Sequence, residues 1–463
     1  MKNLWILTEE RPKKQSLEII LDYFAKHMSI AYKGGDLWIC PLLNSEKCFD
    51  FTYEIKGFNS SKIEHVYIKT ISGSSSFVDY LLYYQEEQPT TQDTPLLAIE
   101  ETKTDDSESR NTGVYQRATK FVVLNFFYPR TKCVMLYSLH IEQKEAPTAT
   151  YIFGTRMLRT LGVDIIGKKL DKELYKPFST IEELIATKQL MSKPKSQTNV
   201  PVEIEQYDDS ISVSGRLYKD DRLAHDPSIG TLSLICATLR KLGWNKDIVI
   251  TKHGLSQKHV VGNNKFLQIA DRLHLSLQGL TLSPCNLPDS YWHYEIKGEK
   301  LGTIFIHTIV ENLTSGFSVF DNHAGCEKSY FSRPDGVDIP LVKYVDRDLY
   351  KAGNKYKRLS IPDLVLIDID TKESITIEGK TYENRFKGIE ELKLYDDFER
   401  LYLNEYYPLH SHKRTVVLYG SEKEKILEIE IGFMLNKNGK LVLGVQAPTL
   451  FKTAIDNLLA YYN

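Results

Sequence analysis

Residues 361–380 read Ile361-Pro-Asp-Leu-Val-Leu-Ile-Asp-Ile-Asp-Thr-Lys-Glu-Ser-Ile-Thr-Ile-Glu-Gly-Lys380. The stretch predicts the two strands of a hairpin, Leu364–Ile369 and Ser374–Glu378. Asp363 opens the first strand, and Glu378 and Lys380 close the second. Thr376, between Ile375 and Ile377, keeps an alternating pattern. Side chains alternate between the faces of a strand, so Glu378 and Lys380 project to one side. A hairpin of this length brings Asp363 beside them. Two carboxylates and an ammonium on one sheet face suit hydrolysis of a phosphodiester. Asp363 and Glu378 offer hard oxygen ligands to Mg²⁺. Such an ion polarises a phosphate and acidifies a bound water, while Lys380 can orient that water and stabilise charge on the phosphate.

Outward from this hairpin, the apolar spacing predicts a long helix over Ile389–Tyr406, a strand at Thr415–Leu418 and a closing helix at Leu450–Tyr462. Upstream, Gly302–Val310 and Phe317–Phe320 read as strands. Lys343, Arg347, Lys351, Lys355, Lys357 and Arg358 form a basic stretch leading into Pro362-Asp363 that could place a phosphate; the alternative is a charged face.

Pro362-Asp363, then fourteen residues, then Glu378-Gly379-Lys380, followed by a helix that starts Gly388-Ile389-Glu390-Glu391-Leu392, resembles the PD-(D/E)XK nuclease superfamily. The resemblance covers the last third of the chain. It implies an α/β (α+β) fold of mixed β-sheets flanked by helices. It also implies Mg²⁺ as cofactor, with Asp363 and Glu378 as its ligands, Lys380 as the third catalytic group and DNA as substrate.

A second constellation lies upstream. Residues 95–103 read Pro95-Leu-Leu-Ala-Ile-Glu-Glu-Thr-Lys103, again an acid-x-Lys at the end of an apolar strand. Asp79 is the upstream acid. Glu100 and Glu101 are both available, and the spacing to Lys103 favours Glu101. A helix is expected from Asp106 through Tyr115 to Val122, and a strand at Cys133–His140. Arg110, Asn111, Gln116, Arg117 and Lys120 lie at helical spacing and fit phosphate and base contacts. This segment is similar to a PD-(D/E)XK core as found in type II restriction endonucleases. The similarity implies catalytic Asp79, Glu101 and Lys103, with Asp79 and Glu101 as metal ligands. One chain would then carry two nuclease cores. Cutting a duplex needs one centre per strand, so the chain could act as a monomer with two unlike centres or as a homodimer.

The 463 residues suffice for two or three domains. A net charge of −2 argues against a tail-driven nucleic-acid binder but allows a local basic cleft. The six cysteines form no CxxC pair, which makes a zinc ribbon or thioredoxin-type site unexpected. No run approaches the length of a membrane helix, and the N-terminus does not read as a signal peptide. A cytoplasmic protein without membrane contact is expected. No Gly-rich phosphate loop appears, so no nucleotide cofactor is expected.

Residues 191–200 are polar and apolar-poor, a linker candidate. They divide the chain into an N-terminal nuclease-like domain (1–190), a central DNA-recognition region (201–295) and a C-terminal nuclease-like domain (296–463). The central region carries Thr251-Lys-His-Gly-Leu-Ser-Gln-Lys-His259. Its Lys252, Gln257 and Lys258 are of types that read base edges, though the stretch reads equally well as a solvated loop. The leading expectation is a Mg²⁺-dependent, sequence-specific endonuclease of double-stranded DNA. The alternatives are a repair or mobile-element nuclease that recognises structure, and a non-catalytic DNA-binding protein.

Overall fold

A computed structural model describes residues 1–73, 77–102, 113–137, 148–167, 169–191, 202–218, 221–223, 226–262, 264–285, 288–296, 298–323, 330–346, 348–349, 357–420, 433–435, 441–443 and 447–463. The chain is mixed α/β, with mixed sheets flanked by helices. It divides into two compact units that cut across the sequential division into 1–190, 201–295 and 296–463. One unit holds Met1–Ser72, Gln85–Gln88 and Tyr294–Asn463; the other holds Gly73–Tyr84 and Pro89–His293. The N-terminal strands therefore belong with the C-terminal third. No local sequence pattern announces this, because it follows from pairing between residues hundreds of positions apart. Among the described residues no helix is long and apolar enough to cross a membrane.

The first unit opens with β1 (Lys2–Thr8), α1 (Lys14–His27), β2 (Tyr32–Leu43), β3 (Phe49–Ser60) and β4 (Ile63–Gly73). β2, β3 and β4 pair antiparallel in succession, and β1 lies parallel to β4 with Trp5 opposite Tyr67. α1 buries Leu17, Ile20, Leu21 and Phe24, the stripe its 3.6-residue period places on one side.

The second unit contains β5 (Tyr80–Gln85) up to Tyr84, β6 (Leu97–Thr102), α2 (Gly113–Phe127), β7 (Lys132–Tyr137), α3 (Ala149–Thr160), β8 (Asp164–Ile166) and α4 (Ile181–Leu190). β5 and β6 are antiparallel, whereas β6, β7 and β8 run parallel. A separate sheet follows, built from β9 (Ile204–Gln206), β10 (Ser210–Ser214), α5 (Asp226–Lys241), β11 (Asp247–Thr251), α6 (Lys265–Arg272) and β12 (Leu275–Leu277). Its β10, β11 and β12 are parallel, joined by α5 and α6, with β9 antiparallel at the edge.

The chain then returns to the first unit with α7 (Lys300–Leu313), β13 (Phe317–Asp321), β14 (Leu364–Asp368), β15 (Glu373–Thr381), α8 (Arg385–Leu392) and β16 (Ser411–Tyr419). β13, β14 and β15 are successively antiparallel, and β16 is parallel to β15. The order helix, three strands, helix, strand thus forms one mixed sheet, extended by β17 (Phe433–Leu435) and β18 (Leu441–Leu443). The helix α9 (Thr449–Tyr461) ends the chain.

Two elements differ from expectation. Residues 302–310 are not a strand but the middle of α7. Leu301–Val310 are buried without interruption, so the helix lacks the exposed stripe that would mark its period. The predicted helix 389–406 is interrupted. α8 starts earlier and stops at Leu392. A short turn at Asp396–Phe398 and a π-helical turn at Glu399–Leu403 follow. In β15 the alternating residues of both faces are covered: Ser374 through Lys380 are all buried, as expected for a strand packed on both sides.

Candidate active site

The hairpin register builds the site. Leu364 pairs with Ile377, so Asp363 falls opposite Glu378 at the strand ends. The Asp363 N–H donates to the Ile377 carbonyl (3.1 Å), and the Asp363 carbonyl accepts from Asn322 N–H (2.8 Å). Its carboxylate Oδ2 accepts the Gly379 N–H at 2.8 Å. Glycine is required at 379, because a Cβ there would stand 2.7 Å from Thr303 Cγ2 of α7 and 3.3 Å from Asp363 Oδ2. Gly388 plays a similar part in α8: a Cβ would lie 2.8 Å from Lys380 Cγ. The two glycines let the sheet and α8 close around the acid and the lysine.

Lys380 and Glu378 are each only 5% exposed, and they are hydrogen-bonded to each other. The Lys380 ammonium also contacts Glu391 of α8 at 2.8 Å and Glu299 at 3.5 Å. The Tyr395 hydroxyl donates to the other Glu378 oxygen. Burial, and then the charge of Asp363, push the Glu378 carboxyl up to about 7. Burial likewise raises Asp363, although the Gly379 N–H and Lys380 work against it. Burial acts to lower Lys380, but its bonds to Glu378 and Glu391 outweigh this and leave it above its ordinary value.

This donor set fits a hard divalent cation. The buried Glu378 carboxylate and the half-buried Asp363 carboxylate face each other across the hairpin, and both are more basic than ordinary carboxylates. A dication would relieve their mutual repulsion. Among the described residues no three His, Cys, Asp or Glu side chains converge on a metal position. Two protein carboxylates suit Mg²⁺, which keeps several waters and takes phosphate oxygens as its remaining ligands. Glu378 would have to release Lys380 or Tyr395 to bind it.

In the upstream constellation, expected as Asp79, Glu101 and Lys103, the strand register decides which glutamate meets the aspartate. Tyr80 pairs with Ile99, so Asp79 falls opposite Glu100, not Glu101. Glu101 gives its N–H to Asp79 Oδ2 (2.7 Å) and takes the Tyr80 hydroxyl on its own carboxylate (2.5 Å). Glu100 is 1% exposed and bonded to Lys120 of α2 at 2.8 Å. Lys120 also reaches Asp79 at 3.3 Å. Burial, then Asp79, push Glu100 up to about 8. Lys103, Arg110 and Asn111 lie outside the described residues, as does the side chain of Gln116. The Arg117 Nε donates to the Glu101 carbonyl (3.3 Å) and stands 3.8 Å from Glu100.

The expected DNA-contacting residues are engaged within the protein to different degrees. Lys252 pairs with Glu203 at 2.9 Å. Gln257 clips the loop to Thr281, donating to its carbonyl (2.8 Å) and accepting from its N–H (3.3 Å). Lys258 is exposed. Lys357 pairs with Asp397 at 2.7 Å, and Lys355 lies outside the described residues. Glu299, Glu391 and Tyr395 join the site without belonging to either acid-x-Lys motif. Glu391 carries a faint signal, since it lies four residues after Lys387 on α8 and pairs with it. Glu299 and Tyr395 have none, because they reach the hairpin from remote positions. Compared with models of known protein families, with curated proteins and with solved structures, the chain matches none.

Proposed function

We propose that the chain is a Mg²⁺-dependent endonuclease of double-stranded DNA, with its main centre at Asp363, Glu378 and Lys380. The observation that carries this reading is the closure of these residues at the end of a buried antiparallel hairpin, within the helix, three-strand, helix, strand order of one mixed sheet. That order and those residue types support a PD-(D/E)XK-type core.

Asp363 and Glu378 would hold the ion, which when bound would polarise the scissile phosphate and acidify a water. The Gly379 N–H fixes the Asp363 carboxylate, so one ligand is preorganised. Tyr395 and Lys380 orient Glu378. Lys380 is kept charged by Glu378 and Glu391 and is placed to stabilise the developing negative charge on phosphate. The finer reading is a type II restriction endonuclease that cuts both strands at a defined sequence and acts as a monomer or homodimer. A digest of plasmid DNA tests it: discrete bands with Mg²⁺ fit sequence-specific cutting. End-dependent or smeared digestion would replace it with structure-specific cleavage, and binding without cleavage at any divalent metal would sink the enzymatic reading.

A further inference from the structure

The two acidic hairpins share one register at the ends that carry the acids. In the C-terminal hairpin Leu364 faces Ile377, which sets Asp363 against Glu378. In the upstream hairpin Tyr80 faces Ile99, which sets Asp79 against Glu100. The next residue donates its N–H to the opening aspartate in both: Gly379 to Asp363 Oδ2 at 2.8 Å and Glu101 to Asp79 Oδ2 at 2.7 Å. The closing strand of each hairpin then pairs parallel with the strand that follows the next helix, β15 with β16 and β6 with β7.

This register makes Thr102 the counterpart of Lys380, so the strand position that carries the ammonium in one hairpin is uncharged in the other. The charge is supplied from elsewhere. Lys120 of α2 brings its ammonium to 2.8 Å from Glu100 and 3.3 Å from Asp79. α2 joins β6 to β7, the same place in the connectivity that α8 occupies between β15 and β16. Two facing carboxylates, the buried Glu100 and the half-buried Asp79, thus meet the Lys120 ammonium, with the Arg117 guanidinium 3.8 Å from Glu100, a clustering of acids and cations of the kind that marks functional sites.

We propose that Asp79, Glu100 and Lys120 form a second phosphodiester-hydrolysing centre, in which the catalytic ammonium comes from α2 and the second carboxylate is Glu100. The inference rests on the nuclease reading of the C-terminal hairpin and adds the centre that would cut the other strand. In the reaction the water oxygen bonds to phosphorus as one P–O ester bond breaks. One water proton ends on the departing alcohol, and the other stays on the product phosphate or passes to solvent. Lys120 would stabilise the phosphate charge, as Lys380 does in the other centre.

Supercoiled plasmid incubated with the full chain and Mg²⁺ separates the cuts. Wild type should yield linear DNA. Glu100→Gln and Lys120→Met should accumulate nicked circles, with the second cut slowed at least about a hundredfold. Nicking by the C-terminal centre should persist and show that the variants are folded, and Lys120→Arg should restore part of the second cut. A Lys120→Met protein that linearises plasmid at the wild-type rate overturns the proposal. So does loss of nicking in a variant that melts like wild type, or a result in which Glu101→Gln rather than Glu100→Gln stops the second cut. Mn²⁺ binding followed by electron paramagnetic resonance gives a readout apart from cleavage. Glu100→Gln should remove one class of bound ion and leave the other, and unchanged binding contradicts the assignment. Failure of the wild type to cut at all would sink the nuclease reading, while the Mn²⁺ measurement would still decide this site.

Discussion

Replacing Glu378 by glutamine should abolish cleavage at the main centre and yet stabilise the metal-free protein at mildly alkaline pH. The carboxyl is held at about 7 against an ordinary 4.5 by burial and by Asp363. Its folded value lies above its unfolded value. The stability it contributes is therefore fully present below about pH 4.5 and is lost as the pH rises through about 7. The whole difference is worth about 3 kcal/mol at about 1.4 kcal/mol per pH unit. Glutamine keeps an acceptor for Tyr395 or Lys380 but gives up the charge-assisted bond to the lysine, which brings the expected gain down to about 1–2 kcal/mol. Urea unfolding in EDTA checks this. Between about pH 5 and pH 8, wild-type stability should fall more steeply than that of Glu378→Gln, with the variant the more stable at the alkaline end. Mg²⁺ should recover the wild-type loss and do little for the variant. Parallel stability curves for the two proteins across this range would refute the electrostatic account of the pair.

Gly379→Ala should destabilise the protein by about 1–3 kcal/mol and lower cleavage by moving Asp363, since its Cβ would meet Thr303 Cγ2 at 2.7 Å; melting and plasmid digestion read the two effects. Tyr395→Phe removes a donor to Glu378, so the acidic limb of the pH–rate profile should move up by about half to one pH unit, and an unmoved limb would exclude the tyrosine from the site. His307 and His323 are hydrogen-bonded to each other at 2.9 Å within the first unit. Burial, and then His307, lower His323 to about 3, so the stability linked to it is present above about 6.5 and lost as the pH falls toward 3. His323→Gln should flatten that acid loss in a thermal melt, and an unchanged slope would assign the acid lability elsewhere.

Much of the main site is legible because its residues bracket two apolar strands. Asp363 stands where an apolar run begins, Glu378 and Lys380 where the next strand ends, and the hairpin brings them together. The upstream site is less legible. Glu100 and Glu101 are adjacent, and only the pairing of Tyr80 with Ile99 tells which faces Asp79. Acid-x-Lys spacing points to Glu101 and away from Lys120, which approaches through a helix nineteen residues beyond. Residues 302–310 read as a strand because short segments rich in β-branched residues look alike whether they form a buried helix or a buried strand. Tyr395 and Glu299 gain their meaning from tertiary contact alone. The membership of the first 72 residues in the C-terminal unit has the same origin.

The most direct test of the central claim is plasmid cleavage by purified wild type and Asp363→Asn, with Mg²⁺ or with EDTA. The account predicts cleavage by wild type that requires Mg²⁺ and a loss of at least about a hundredfold at the main centre in the variant. Cleavage that persists in EDTA, or that Asp363→Asn leaves at the wild-type rate in both strands, would contradict it.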